Sequence, residues 1–261
     1  MDTQPEHTLA ELLDSTWALW KKWSIPFGRI LGIDIRIHGI VLLGLLVEYK
    51  NLHYLKNSSY LFAFLLFYSG LFLSILLHEM GHALTAKFFG NTVKGIIVFP
   101  PFGGIAFIAL DNEKPLRNIL IYMAGPVVNI ILALILLYLY KYANMKNHFL
   151  LADELKLIMN VNLLIGFANL IPFYPLDGGR ILQNVILLLK SGERKANIIT
   201  LCVSCACFIA ITRYKLNDGD YVGLTIATLL MIISFLVLME KPAVYQQTSD
   251  KVSLDPTFDT K

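Results

Sequence analysis

The chain has 261 residues, of which 56% are hydrophobic and only 16% charged, and it carries a formal net charge of +3 and a mean hydropathy of +0.61. Soluble globular chains carry about 25% charged residues, so there is too little polar surface here for a water-soluble globule; disorder, collagen and coiled coil are excluded by the same figures. The small net charge and scattered basic residues argue against a nucleic-acid partner, and the chain reads as an integral membrane protein.

In chain order, Leu9, Leu13, Trp17 and Trp20 recur at helical spacing with Trp23 one turn further on, while Glu11, Asp14, Lys21 and Lys22 fall mostly elsewhere. This pattern predicts an amphipathic helix in the membrane interface, so residues 1–32 are expected to form that helix and a lead-in. No cleavable secretory signal is evident near the N-terminus. Ile33, Ile35 and Ile37 then alternate with Asp34, Arg36 and His38, a strand pattern.

A bilayer core of about 30 Å needs roughly 20 apolar helical residues. Five uncharged stretches approach or reach that length: Asn57 to Leu77, Asn118 to Tyr140, Leu157 to Leu176, Ala196 to Thr212 and Tyr221 to Met239. A shorter run, Gly39 to Val47, is extended by Ile35, Ile37 and Tyr49, which brings the expected number of spans to six. Between the second and third, Val93 to Ala109 holds two β-prone arms around Pro100, Pro101, Gly103 and Gly104, and reads as a hairpin or re-entrant loop. Non-helical backbone at membrane depth must be buried in protein or line a watery cavity. The fold class expected is an all-α polytopic membrane protein with about six transmembrane helices and a small β-strand or re-entrant hairpin near the site. Residues 33–240 form the membrane domain, its core at 57–189, and 241–261 a flexible polar tail. Alternate loops and both termini together hold 15 of the 22 Lys and Arg residues, which makes that side cytoplasmic. Cys202, Cys205 and Cys207 lie inside an apolar run and read as helix packing, neither a zinc site nor a disulfide framework.

His78-Glu79-Met80-Gly81-His82 is an HExxH motif. On a helix, residues four apart share a face, so both imidazoles can ligate one metal ion, with Glu79 as general base toward water. Two histidines and a carboxylate beside hydrocarbon are costly unless they face a protein interior; the bland alternative is a polar cluster at a helix end. Catalytic zinc usually takes three protein ligands and keeps one position open. Asp177 fits the third: His78 and His82 lie 21 and 25 residues beyond Asn57, and Asp177 lies 20 beyond Leu157, in a span of the same direction. At about 1.5 Å per residue these depths nearly coincide. Pro172 and Pro175 precede Asp177, and Gly178 and Gly179 follow it, allowing a tight turn; a helix N-cap is its alternative role. Ala124-Gly125-Pro126-Val127-Val128-Asn129 interrupts the third span. Asn129 is a candidate for holding substrate backbone or an oxyanion, or for an interhelical hydrogen bond. His38 is a candidate second-sphere group or gate, or a core or interfacial histidine.

HEMGH in a second span, AGPVVN in a third and NLIPFYPLDGGR in a fourth resemble the site-2 protease family of zinc intramembrane metalloproteases over roughly Ile33 to Leu189. The resemblance implies one zinc ion per chain held by His78, His82 and Asp177, Glu79 as catalytic base, and cleavage of membrane-spanning protein substrates within the bilayer of a prokaryotic cell. Asn129 falls on the family's asparagine of the third span. No stretch is long enough for a PDZ or CBS domain, so a short form is expected.

A helical substrate hides its peptide bonds and must unwind before attack. The strand Val93 to Val98, with Ile96 and Ile97, or the strand Ile33 to Ile37, is expected to capture the extended segment by edge pairing. The rival function is a non-catalytic metal-binding scaffold or a metal transporter, which needs no base at Glu79. A zinc protease acting on prenylated C-termini is a further alternative; LDGG around Asp177 and the absence of a late intramembrane Glu count against it.

Overall fold

The computed structural model describes residues 9–41, 58–100, 103–110, 114–218 and 221–239. Along these run α1 (Leu9–Lys22), β1 (Ser24–Ile30), β2 (Ile33–His38), α2 (Ser58–Phe88), β3 (Val93–Val98), β4 (Gly104–Ile108), α3 (Pro115–Met145), α4 (Phe149–Asn169), α5 (Asp177–Leu188), α6 (Glu193–Asp218) and α7 (Tyr221–Met239). Three helices among the described residues, α2, α3 and α6, are long and apolar enough to cross a membrane, and α7 contains a shorter apolar helix. Most of the expected first span, and the tail at 241–261, lie outside the described residues.

Helices α2, α3, α4 and α7 are apolar on nearly every face, the pattern of a helix in lipid or in a large core. Thus α2 buries Leu71, Ile75, Leu76 and Met80 and exposes Leu61, Phe62, Leu65, Leu73 and Leu77. Small residues let the helices approach: a Cβ on Gly81 would stand 2.9 Å from the Ala124 carbonyl oxygen, and one on Gly166 3.3 Å from that of Pro126. Close backbones of this kind are how membrane helices pack without a hydrophobic driving force. The expected interruption of the third span does not occur, because α3 runs unbroken through the buried Pro126. Proline leaves only the Tyr122 carbonyl without its intrahelical donor, and packing holds the helix on either side. The fourth span breaks where Pro172 and Pro175 stand. α4 stops at Asn169, the chain is non-helical through the two prolines, and Asp177 is the first residue of a new helix.

The expected hairpin is present as β3–β4, within a larger sheet of order β1-β2-β3-β4. β1 pairs antiparallel with β2, β2 parallel with β3, and β3 antiparallel with β4. One face packs on α2, where Ile33, Ile35, Ile96 and Val98 meet Leu71, Ile75, Leu76, Met80 and Ala83. The other face carries α1. Trp17 stands edge-on to Phe107 at 5.1 Å between centroids, Trp20 lies 5.4 Å from His38, and Asp14 pairs with Lys94 at 2.7 Å. The aromatic stripe expected to face lipid is therefore largely used on the sheet, and of the three tryptophans Trp23 remains open at 67% exposure.

Candidate metal centre and active site

His78 and His82 are buried on the face of α2 that meets α3, and their Nε2 atoms lie 3.1 Å apart. Asp177 reaches them from the start of α5, with Oδ2 3.2 Å from His78 Nε2 and 3.3 Å from His82 Nε2. Among the described residues this is the one group of three metal-ligating side chains with donor atoms so close together. A tetrahedral ion with bonds of about 2.0–2.1 Å holds its donors about 3.3–3.4 Å apart, so the triangle is of zinc size. The other ring nitrogens are already committed. His82 Nδ1–H donates to the Ile121 carbonyl at 2.7 Å, and His78 Nδ1–H donates to Asn129 Oδ1. Each bond puts the proton on Nδ1 and leaves the Nε2 lone pair free for a cation, the tautomer a metal-binding imidazole needs. Gly125 faces both Nε2 atoms: a Cβ there would lie 2.7 Å from that of His78 and closer still to that of His82. The donor set and the space around it fit a metal ion.

Glu79 follows His78 by one residue, about 100° round the helix, and so turns from α3 toward the sheet. Its side chain packs against Gly104, where a Cβ would stand 2.7 Å from Glu79 Cγ. The same Cβ would stand 3.2 Å from Glu79 Oε1. These contacts come from the outer edge of β4. The Phe99 N–H donates inward to the Gly103 carbonyl, and the register pairs Val98 with Gly104 and Ile96 with Ala106. Alternation along an antiparallel strand then turns the main-chain groups of Gly104 and Ala106 outward.

The loop that delivers Asp177 is held from two directions. Gly178 and Gly179 pass so close to preceding backbone that a Cβ would lie 2.5 Å from Leu170 C and 2.6 Å from Phe173 C, respectively; only glycine fits at either position. From the other side, the Tyr174 N–H donates to Ser204 Oγ on α6 at 3.0 Å, and Ser234 Oγ–H on α7 donates to the Tyr174 carbonyl. The N-cap of α5 is Leu176, so Asp177 is not spent on capping and its carboxylate turns to the histidines.

Of the readings the sequence left open, the structure has the interhelical hydrogen bond for Asn129 and the packed histidine for His38, and it closes the edge expected at Ile96 and Ile97. Asn129 has no donor left for substrate or oxyanion: its Oδ1 receives His78, and its Nδ2 donates to Asn162 Oδ1 at 2.8 Å and to the Ser74 carbonyl at 3.3 Å. Ile96 and Ile97 are fully buried in β3. Because β2 and β4 flank that strand, neither β3 nor β2 offers an edge for capture. His38 ends β2, accepts the Ile40 N–H at Nδ1, and packs between Trp20 and Phe99; it does not join the His78, His82 and Asp177 group. The three cysteines stay on α6 as free thiols.

The family model for Peptidase family M50 matches residues 66–152 and 145–211. Zinc metalloprotease MJ0392 of Methanocaldococcus jannaschii is 37% identical over 182 residues, 67% of this chain and 50% of that protein. Stage IV sporulation protein FB of Bacillus subtilis is 34% identical over 113 residues, 43% of this chain and 37% of that protein. The chain thus spans half the length, or less, of these two relatives. A solved structure, Site-2 Protease from Methanocaldococcus jannaschii, superposes with a TM-score of 0.56 at 28% identity, covering 81% of this chain and 94% of that one. The matched residues take up more than half of the sequence and run through all of α3, α4 and α5, with His78, Glu79, His82 and Asp177 among them: the chain belongs to peptidase family M50.

Proposed function

We propose that this chain is a zinc-dependent intramembrane endopeptidase that hydrolyses peptide bonds in or near transmembrane segments of membrane protein substrates. The observation that carries the reading is the meeting of His78 Nε2, His82 Nε2 and Asp177 Oδ2 at 3.1–3.3 Å with a buried Glu79 beside them. These three residues hold one zinc ion per chain, and Glu79 is the base. The zinc supplies Lewis acidity to the scissile carbonyl and lowers the pKa of water. Glu79 accepts the proton of the attacking water and passes it to the departing amine, leaving a carboxylate on one fragment and an amine on the other. The close contact with Gly104 on β4 seats the carboxylate for both transfers. A pure metal-binding scaffold has no use for a carboxylate seated in this way.

The substrate segment unwinds and adds to the outer edge of β4, which no strand pairs among the described residues. Main-chain groups of Gly104 and Ala106 face that edge next to Glu79, and strand addition brings an extended peptide bond to the same place. Residues 33–240 make up a six-span domain in a prokaryotic cell membrane, the run near Gly39 to Val47 joining α2, α3, α4, α6 and α7. Both termini are cytoplasmic, a reading that rests on the distribution of Lys and Arg.

Zinc per chain in detergent-purified protein tests the centre. One ion is expected in the parent, and less than about a tenth of that in Asp177→Ala after exposure to a mild chelator. Absence of zinc from the parent after reconstitution sinks the protease reading. Ile108→Pro tests the substrate edge: turnover of a transmembrane substrate is expected to fall at least about tenfold at unchanged zinc content, since proline removes an edge N–H. Unchanged turnover rejects strand addition at β4.

A further inference from the structure

Behind His78 lies a run of polar side chains that crosses three helices without contact with water. Asn129, Asn162 and Ser74 are all buried, the two asparagines completely. Ser74 Oγ–H donates to the Gly70 carbonyl at 2.7 Å, and Asn162 Nδ2 donates to Ser74 Oγ at 2.8 Å and to the Ile158 carbonyl at 2.9 Å. Asn162 Oδ1 accepts from Asn129 Nδ2 at 2.8 Å, and Asn129 Oδ1 accepts from His78 Nδ1–H.

The direction of this run is fixed at its far end. A backbone carbonyl can only accept. The Asn162 atom facing the Ile158 carbonyl must therefore be the amide nitrogen, and its oxygen must face Asn129. Asn129 in turn must present nitrogen to Asn162 and to the Ser74 carbonyl, and so oxygen to His78. Rotating the Asn129 amide by 180° would set its oxygen against two acceptors and its NH₂ against His78 Nδ1. That nitrogen would then have to accept, and the ring proton would move to Nε2, the atom directed at His82 and Asp177.

We propose that Asn162 is a positioning residue for the metal centre: it locks the orientation of the Asn129 amide and thereby holds His78 in the tautomer whose Nε2 lone pair is free. Asn162 lies two side chains away from the ion and touches neither substrate nor metal. The proposal rests on the assignment of His78 as a zinc ligand. An amide relay requires this lock because its two ends differ.

That difference supplies the test. Zinc affinity is measured by chelator competition in detergent, together with the absorption of the Co²⁺-substituted protein, for the parent, Asn162→Leu and Asn162→Asp. Asn162→Leu is expected to weaken zinc about 10- to 100-fold, the range for loss of an outer partner, and to perturb the Co²⁺ spectrum. Asn162→Asp, protonated in this dry site, still accepts from Asn129 and donates to the Ile158 carbonyl, so its affinity stays within about threefold of the parent. Should Asn162→Leu not fold, the Asn162→Asp value decides, and a loss there of tenfold or more overturns the proposal. Full affinity in Asn162→Leu also overturns it and leaves the zinc site standing. A parent that binds no zinc removes the site and the proposal together.

Discussion

Glu79→Gln is expected to keep one zinc ion per chain and to lose at least about 1,000-fold of peptide hydrolysis, toward the upper end of what a general base contributes. Glutamine has nearly the shape of glutamate and still packs on Gly104, so the centre and the sheet edge stay in place. What it lacks is the ability to take a proton. The measurement is single-turnover cleavage of a reconstituted transmembrane substrate beside zinc analysis of the same sample. Loss of zinc together with activity would move Glu79 from chemistry to architecture. Retained activity would show that another group takes the proton and would remove Glu79 from the role of base.

Gly125→Ala is expected to abolish stoichiometric zinc binding even though alanine is the best helix former. The added methyl would stand 2.7 Å from His78 Nε2 and nearer still to His82 Nε2. Both rings would have to turn, and turning breaks the bonds from their Nδ1 atoms to Asn129 and Ile121. At Gly192 nothing lies within 4 Å of a Cβ, so Gly192→Ala is the matched control and should bind zinc as the parent does. Circular dichroism should report intact helices in both. Normal zinc in Gly125→Ala would mean that α2 and α3 are free to separate, and that the close packing does not set the site.

The chemistry-bearing residues were legible because each breaks a pattern: His78, Glu79 and His82 end an uncharged run, and Asp177 ends another. Strands β2, β3 and β4 were legible from alternation and from the Pro-Gly turn. β1 was not, since Ser24–Ile30 holds Pro26 and Gly28, both poor strand formers, and has a bulge between them. The parallel pairing of β2 with β3 joins residues about sixty positions apart, and no local pattern reports it. For that reason β3 read as an edge and the capturing role was given to Ile96 and Ile97. Asn129 stands out as a lone amide in its span, whereas Asn162 shares its run with Asn160 and Asn169. Asn160 is exposed and Asn162 buried, so only packing distinguishes the two.

Tyr174 is gripped through its main chain by one hydroxyl from α6 and one from α7. Neither helix contributes a ligand or a base. Nonetheless, any force that parts α6 and α7 from the rest, whether a change of bilayer thickness or a neighbouring protein pulling on them, acts on the backbone three residues ahead of Asp177. The seating of that carboxylate is thus tied to the docking of two helices that carry no chemistry of their own.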